Sequence, residues 1–181
     1  MKVILIGYMG AGKTTIGKAL AQQMGLNFCD LDWYIEEQNG TTISQIFAQE
    51  GEVAFREKER QALHEVIQQD DIVLAVGGGT PCFYDNIDFM NRQAHTIYLK
   101  ATPETLKAHI KMGASKRPLV DGKTDEELTE FITSSLKKRE PYYKKATDTV
   151  TIKTITRQEQ IDQYVKIIKQ SISYHISRQN Q

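Results

Sequence analysis

The sequence predicts an α/β fold of three layers, in which helices cover both faces of a five-stranded parallel sheet. Three observations support this expectation. Short apolar runs alternate along the chain with helical stretches, as they do in parallel sheets. The first run, Lys2–Ile6, leads directly into a glycine-rich stretch and then a helix. With 181 residues, the chain is long enough for one domain with one core and short for two.

The predicted strands are five short apolar runs that are bounded by turn or helix signals. The third of them is closed by three consecutive glycines. In chain order they are Lys2–Ile6, Asn27–Asp30, Asp71–Val76, Thr96–Leu99 and Thr149–Ile152.

Helical periodicity fills the intervals between these runs. Gly25 stops the first predicted helix, and Gly51 interrupts the longest helical region. Residues 112–123 hold two glycines, a proline and little periodicity, so we expect a mobile loop there. The predicted helical segments are Gly12–Met24, Trp33–Gln38, Thr42–Gln69, Pro103–Lys111, Asp125–Lys138 and Gln158–Ser173.

Charge and composition exclude several classes of function. Lys and Arg number 23, as do Asp and Glu, and no block of like charge indicates a nucleic-acid arm or a membrane-surface helix. No apolar stretch is long enough to span a membrane, and no secretory leader is recognisable. Cys29 and Cys82 lie far apart, which fits free thiols in a reducing compartment. We therefore expect a cytoplasmic monomer that binds neither nucleic acid nor membrane.

The glycine-rich stretch GYMGAGKTT is a candidate phosphate-binding loop. It matches G-x-x-x-x-G-K-S/T in full, between a strand and a helix as required. Glycines let successive backbone N–H groups surround phosphate oxygens, and the positive end of the helix dipole faces the same anion. Lys13 is expected to reach the β- and γ-phosphates, and the Thr14 hydroxyl to coordinate Mg²⁺. The predicted nucleotide-binding residues of the loop are Gly10, Ala11, Gly12, Lys13, Thr14 and Thr15.

ATPases, GTPases and small-molecule kinases share this loop, so other features must distinguish them. The N-K-x-D sequence that reads guanine in GTPases is absent. The strand Asp71–Val76 also lacks the usual magnesium-binding Asp at its end. Asp30 and Asp32, in FCDLDW, are candidate carboxylates, because the carboxyl ends of parallel strands meet beside the loop. Asp32 could instead form a turn or cap a helix that begins at Trp33.

The chain resembles the shikimate kinases in six motifs that occur in the same order. They are GYMGAGKTT, DLDW, GEVAFREKE, GGG, KRPL and KREPYY. The resemblance extends from Lys2 to about Lys153. It implies the nucleoside-monophosphate-kinase architecture within a single domain, 1–181, with a substrate-binding region at about 31–62 and a lid at about 112–123. It also implies that ATP, with Mg²⁺, phosphorylates the 3-hydroxyl of shikimate on the way to chorismate and the aromatic amino acids.

The resemblance assigns roles on the substrate side of the site. Asp32 would bind ring hydroxyls and accept the departing proton, and Asp30 would lie nearer the metal. Arg56 and Arg139 would hold the shikimate carboxylate, and the backbone of Gly78 would contact the ring hydroxyls. The chemistry of these residue types agrees, since a carboxylate needs fixed cations and hydroxyls need an acceptor.

The resemblance also assigns two arginines to the nucleotide. Arg117, before Pro118, would swing over the phosphates and stabilise the charge that is transferred. Arg157, after the last strand, would contact the edge of the base. The expected catalytic residues are therefore Lys13, Asp32 and Arg117.

The chain departs from the family's pattern mainly on the nucleotide side. Val76 stands where the family usually has Thr or Ser before the triple glycine, which puts more weight on Thr14 and Asp30 for the metal. His109 is the nearest replacement for an arginine that commonly packs over adenine. IKTITRQ replaces a more usual acidic loop. The four histidines show no metal-ligand spacing along the chain, and none is assigned to catalysis.

Simpler interpretations remain open at this stage. Arg56 lies between Glu52 and Glu59 at helical spacing and could form an exposed ion pair. Arg139 could be a solvated helix end. For the whole chain, the alternatives are another small-hydroxyacid kinase, such as a gluconate kinase, and a non-catalytic nucleotide sensor. The substrate-side residues named above favour shikimate kinase over the first alternative, and the joint presence of Lys13, Asp32 and Arg117 disfavours the second.

Overall fold

The structure is a computed structural model that describes residues 1–113 and 122–179. Arg117 and most of the lid predicted at 112–123 lie outside the described residues. In the described part of the chain, no helix is both long and apolar enough to cross a membrane.

Five parallel strands form the sheet, in the order β2-β3-β1-β4-β5. The predicted fold class is therefore confirmed, and each strand lies within one or two residues of its predicted bounds. The strands are β1 Lys2–Ile6, β2 Asn27–Asp30, β3 Ile72–Ala75, β4 His95–Ala101 and β5 Asp148–Ile152.

Helices pack against the sheet and bury its central strands. Residues 3–6 of β1 are fully inaccessible to solvent, and all of β3 is buried. Such strands have no polar face, because neither face of a covered parallel sheet meets water. The helices are α1 Lys13–Met24, α2 Leu31–Asn39, α3 Ile43–Val66, α4 Asn86–Gln93, α5 Pro103–Met112, α6 Asp125–Tyr143 and α7 Gln158–Gln179, with a short 3₁₀ turn at Thr80–Cys82.

Near the predicted site, the start of α2 differs from expectation, whereas the interruption of α3 agrees with it. Helix α2 begins at Leu31 rather than Trp33, because the carboxylate of Asp30 caps it by accepting the N–H of Asp32 at 3.2 Å. The proposal that Asp32 itself caps this helix is therefore wrong. The predicted interruption at Gly51 is confirmed, since its φ of 82° and ψ of 174° break the helical path of α3.

Helix α6 continues past the predicted end at Lys138 and contains Pro141. Proline is unfavourable inside a helix, because it lacks an N–H and its ring crowds the preceding turn. The helix nevertheless closes its last turn, where Lys144 N–H donates to the Glu140 carbonyl at 2.9 Å, and it buries Tyr143 completely. Arg139 therefore lies within α6, half-buried, and is not a solvated helix end.

Candidate active site

The carboxyl ends of three neighbouring strands bring the predicted site residues together. Strand β3 lies between β1 and β2, with Ala75 paired to both Leu5 and Asp30. The glycine loop Gly7–Gly12 follows β1, the triple glycine Gly77–Gly79 follows β3, and Asp30 ends β2. The site is thus formed where parallel-sheet topology places ligand sites in α/β proteins.

The backbone of the first glycine loop has the conformation of an anion-binding turn. Gly7, Gly10 and Gly12 have φ values of 146°, 82° and 84°. Gly12 precedes helix α1, and no described side chain caps that helix. The loop therefore presents backbone N–H groups and the positive end of a helix dipole to the same point. Ala11 is buried beneath the loop, and Thr15 is exposed.

The side chains of Lys13 and Thr14 lie over this loop and towards β2. The Lys13 ammonium donates hydrogen bonds to the Gly7 and Tyr8 carbonyls at 2.9 and 3.1 Å. The Thr14 hydroxyl donates to the Asp30 carboxylate at 2.7 Å. A hydroxyl and a carboxylate oxygen in contact are hard oxygen donors of the kind that Mg²⁺ prefers. The residues present therefore fit the expected magnesium site.

Asp32 is half-buried in the first turn of α2, between charged neighbours. Burial and, to a smaller extent, the neighbouring Asp30 carboxylate raise its pKa to about 6, although the Lys13 ammonium acts in the opposite direction. A Cβ atom built on Gly77 would lie 2.9 Å from Oδ1 of Asp32. With a pKa of about 6, Asp32 is ionised at neutral pH and binds a proton more readily than an ordinary carboxylate does, which suits a general base.

Arg56 belongs to a buried network and is not the exposed ion pair considered above, since only 9% of the residue is accessible to solvent. Its guanidinium donates to Glu59 at 2.7 Å and to Glu52 at 3.3 Å. The second carboxylate oxygen of Glu59 accepts the Thr80 hydroxyl at 2.6 Å. The guanidinium also lies 4.0 Å from the ring centre of Phe83. These contacts fix the cation from several directions.

The Arg56 network meets the triple glycine directly. A Cβ atom on Gly79 would lie 2.8 Å from both terminal nitrogens of Arg56, closer than side-chain atoms normally approach. The 3₁₀ turn that begins at Thr80 follows at once, so the loop and the arginine share one wall of the site.

Arg139 reaches the same loop from helix α6. A Cβ atom on Gly78 would lie 3.4 Å from the Arg139 guanidinium and 3.4 Å from the Gly7 carbonyl. The guanidinium lies 5.5 Å from the ring centre of Tyr8. One turn further along α6, the Tyr143 hydroxyl donates to the Gly78 carbonyl at 2.5 Å. Arg139 and the triple glycine therefore lie beside the phosphate loop.

Sequence reasoning missed three residues of this site. Glu59 was considered only as a surface partner of Arg56, and Thr80 and Tyr143 were not singled out at all. The available signals were local: Thr80 follows GGG, and Tyr143 ends KREPYY. Their partners lie 21 and 65 residues away along the chain, so the contacts depend on the tertiary fold.

His109 and Arg157 are the two residues considered above for contacts with the base. His109 Nε2 accepts the Ile155 N–H at 2.7 Å, so Nδ1 carries the hydrogen and donates to the Gly10 carbonyl at 2.7 Å. The ring therefore links the phosphate loop to the segment after β5. Arg157 is exposed just before α7, and its backbone N–H donates to the Gln160 side chain. Val76 is buried and offers no metal ligand.

Comparisons with known proteins agree with the site. A family model described as "Shikimate kinase" matches residues 9–169. The shikimate kinase of Bacteroides fragilis is 41% identical over 177 residues, which cover 98% of this chain and 99% of the relative.

Solved structures give the same picture. A crystal structure of shikimate kinase from Bacteroides thetaiotaomicron has a TM-score of 0.94 and 42% identity, covering 96% of this chain and 98% of that one. A shikimate kinase from Acinetobacter baumannii, in complex with shikimate, has a TM-score of 0.82 and 33% identity, covering 96% and 93%. A gluconokinase from Sinorhizobium meliloti has a TM-score of 0.62 at 12% identity, which shows a shared fold alone.

Proposed function

This chain belongs to the shikimate kinase family, and from that premise we propose how its residues divide the transfer of the γ-phosphoryl group of ATP to the 3-hydroxyl of shikimate. One observation carries the proposal. The loop Gly77–Gly79 lies against Asp32, Arg56 and Arg139 at once, beside a phosphate-binding loop. A proton acceptor and two cations thus surround a point next to the expected γ-phosphate.

The first glycine loop binds the ATP phosphates through its backbone N–H groups, with Gly10, Ala11, Gly12 and Thr15 forming its walls. Lys13 exchanges its contacts with the Gly7 and Tyr8 carbonyls for phosphate oxygens, since an ammonium so close to the loop needs only a rotation of its side chain. Lys13 then offsets negative charge that develops during transfer.

Thr14 and Asp30 hold Mg²⁺, the hydroxyl directly and the carboxylate directly or through water. When bound, the ion would supply positive charge that offsets the negative charge of the nucleotide phosphates. Asp30 also positions Asp32, because its other carboxylate oxygen caps helix α2 by accepting the Asp32 N–H.

Arg56 and Arg139 bind the carboxylate of shikimate, and the loop at Gly78 contacts its hydroxyls. Both guanidiniums lie close enough to Cys82 to oppose the burial that raises its pKa to about 11. An anion between them would therefore meet two fixed donors. Glu59 and Thr80 hold Arg56 in place before the substrate arrives, which lowers the entropic cost of binding.

Asp32 accepts the proton of the 3-hydroxyl as the oxygen attacks phosphorus in line. Its pKa of about 6 keeps it ionised at neutral pH and makes it a better proton acceptor than an ordinary carboxylate. The 3-hydroxyl to which Asp32 hydrogen-bonds is therefore also the group that attacks phosphorus.

The roles of Arg117 and Arg157 and the bounds of the lid and of the substrate-binding region rest on the resemblance rather than on described contacts. Arg117, outside the described residues, stabilises the transferring phosphoryl group within a lid at about 112–123, and Arg157 contacts the base. The chain is one kinase domain, 1–181, with a substrate-binding region at about 31–62. We propose that it acts as a monomer in the cytoplasm.

The decisive experiment measures ADP release from the purified protein with MgATP and shikimate, with gluconate, or with no acceptor. The expected result is ADP release that depends on shikimate, with a product whose mass corresponds to shikimate plus one phosphoryl group. Release with gluconate alone would assign the chain to a different kinase activity. ATP binding without acceptor-dependent turnover would indicate a nucleotide sensor instead.

A further inference from the structure

Two histidines and an aspartate converge at the amino edge of the sheet, opposite the active site. His95 begins β4, Asp148 begins β5, and His175 lies near the end of α7. Their ligand atoms all lie within 4.8 Å of one another, and among the described residues this is the only group of three such side chains that could hold a metal ion. The kinase mechanism uses none of them.

The fold explains why these side chains meet. Asp148 pairs with Ile97, two residues after His95, so His95 and Asp148 project from the same face of the sheet. Helix α7 packs against β5, and its Ser171 and His175 are one turn apart on one helix face. Three separate elements therefore contribute one side chain each to a single point.

The hydrogen bonds show how the cluster is oriented. His95 Nε2 donates to one oxygen of Asp148 at 2.7 Å, and His175 Nε2 donates to the other at 3.0 Å. The Ser171 hydroxyl donates to the same oxygen as His95 does. The three candidate ligands are half-buried, so the site is shaped by packing and still reachable from solvent.

We propose that His95, Asp148 and His175 form a binding site for Zn²⁺ or a chemically similar divalent transition metal. Two imidazole nitrogens and one carboxylate oxygen are ligands that zinc prefers, with water as the fourth. Bonds of about 2.0–2.2 Å at tetrahedral angles place ligand atoms ~3.4 Å apart, and the candidate ligand atoms here already lie within 4.8 Å of one another, so small side-chain adjustments bring them to that spacing. On binding, each neutral ring carries its hydrogen on Nδ1 instead of Nε2.

Ser171 supports this use of Asp148. A ligating carboxylate is usually oriented by a further hydrogen bond, and the Ser171 hydroxyl supplies one that does not depend on either histidine. The ion would join α7 to β4 and β5, and it would act on stability rather than on phosphoryl transfer, because the active site lies at the opposite edge of the sheet.

The test titrates untagged, metal-free protein with ZnCl₂ in the presence of excess Mg²⁺, which occupies the magnesium site. Calorimetry should give one zinc ion per chain. At free zinc 100 times the dissociation constant, the melting temperature should rise by about 5–10 °C. Co²⁺ in place of Zn²⁺ should give the visible absorption of a tetrahedral site with nitrogen ligands.

His175→Gln tests the assignment, and Ser173→Ala is its matched control on the same helix, since Ser173 is exposed and its hydroxyl donates to the Lys169 carbonyl, away from the cluster. The first variant should lose the zinc-dependent shift and the Co²⁺ spectrum, and the second should keep both. Unchanged binding in His175→Gln would overturn the proposal, because the ion would then lie elsewhere. If that variant does not fold, a Co²⁺ spectrum of the parent without tetrahedral bands overturns it equally, and the cluster is then a hydrogen-bonded one only.

Discussion

The loop after β1 and the loop after β3 are both rich in glycine and lie side by side, yet they require glycine for different physical reasons. In the first loop, Gly10 and Gly12 have φ values of 82° and 84°. Side chains rarely adopt this left-handed region, because Cβ crowds the following carbonyl oxygen. The requirement there is conformational, since it lets backbone N–H groups point at phosphate.

In the second loop, none of the three glycines has a left-handed φ. The requirement there is space. A Cβ on Gly77 would lie 2.9 Å from Asp32, and one on Gly79 would lie 2.8 Å from Arg56. The absence of side chains lets the Asp32 carboxylate and the Arg56 and Arg139 guanidiniums approach the backbone.

This difference predicts which substrate each loop controls. A change in the first loop distorts the backbone that surrounds ATP. A change in the second displaces the ends of functional side chains and should act on shikimate. The two loops can therefore be separated by kinetics even though they are in contact.

The largest expected effect is that of Asp32→Asn, which keeps the shape of the residue against Gly77 and removes the proton acceptor. The turnover number should fall by about 10²–10⁴-fold, with ATP binding unchanged. Asp30→Asn, two residues earlier, is the matched control and should instead raise the Mg²⁺ concentration needed for half-maximal rate. Near-normal turnover of Asp32→Asn would remove Asp32 from catalysis.

The raised pKa of Asp32 gives the same variant a pH signature. The rate of the parent should rise with pH through about 6, because the base must be ionised. The pKa of Asp32 is about 6 in the folded state and about 4 in the unfolded state, so the folded state binds the proton more tightly. The free energy of unfolding should therefore fall as pH rises from about 4 to about 6. Asp32→Asn should thus melt above the parent at about pH 8 and match it near pH 4.

Gly79→Ala and Gly12→Ala form a crossed pair with smaller effects. Gly79→Ala should raise the KM for shikimate by about 10–100-fold, as expected from the loss of a hydrogen bond between charged groups. Its melting temperature should also fall, because the methyl group displaces the Arg56 guanidinium from its buried partner Glu59. Gly12→Ala should raise the KM for ATP by roughly tenfold, since left-handed strain of about 1–2 kcal/mol falls on the phosphate loop.

Gly40→Ala controls for left-handed strain alone. Gly40 has a φ of 61° at the end of α2, and a Cβ there would meet nothing within 4 Å. This variant should lower the melting temperature and leave both KM values unchanged. If Gly79→Ala and Gly12→Ala raised the same KM, the two loops would form one functional unit, and the comparison between them would be wrong.

The sequence was sufficient for those parts of the fold that local patterns determine. Five strands and the helices next to the site follow from apolar runs and from stop signals such as Gly25. Helix α4 was not predicted, because its eight residues contain few apolar positions and bury only Asn86, Ile87 and Met90. Helix α6 extends through Pro141 beyond its predicted end at Lys138, and its last turn buries Tyr143, a tertiary contact that local patterns do not show.

The candidate site divides in the same way. Lys13 and Thr14 follow β1 and Asp30 ends β2, and the carboxyl ends of these parallel strands lie at one edge of the sheet, so their meeting could be inferred from topology. Arg56 is linked to Thr80 through Glu59, and Glu59 and Thr80 are 21 residues apart along the chain. No rule of sequence spacing predicts that contact. Sequence spacing predicts contacts within an element, whereas contacts between elements depend on packing.

The smallest expected effect is that of Tyr143→Phe, which leaves the triple glycine in place and removes the hydroxyl that donates to the Gly78 carbonyl and also interacts with the Arg139 guanidinium. A buried hydrogen bond is worth about 0.5–1.5 kcal/mol, so the KM for shikimate should rise by roughly 2–10-fold, with the turnover number and the KM for ATP nearly unchanged. Tyr142→Phe, on the exposed side of the same helix, should change none of these values. An effect of Tyr143→Phe on the KM for ATP rather than on the KM for shikimate would mean that this hydrogen bond positions the phosphate loop. The two loops, which lie close together at Gly78 and Gly7, would then share control of the nucleotide.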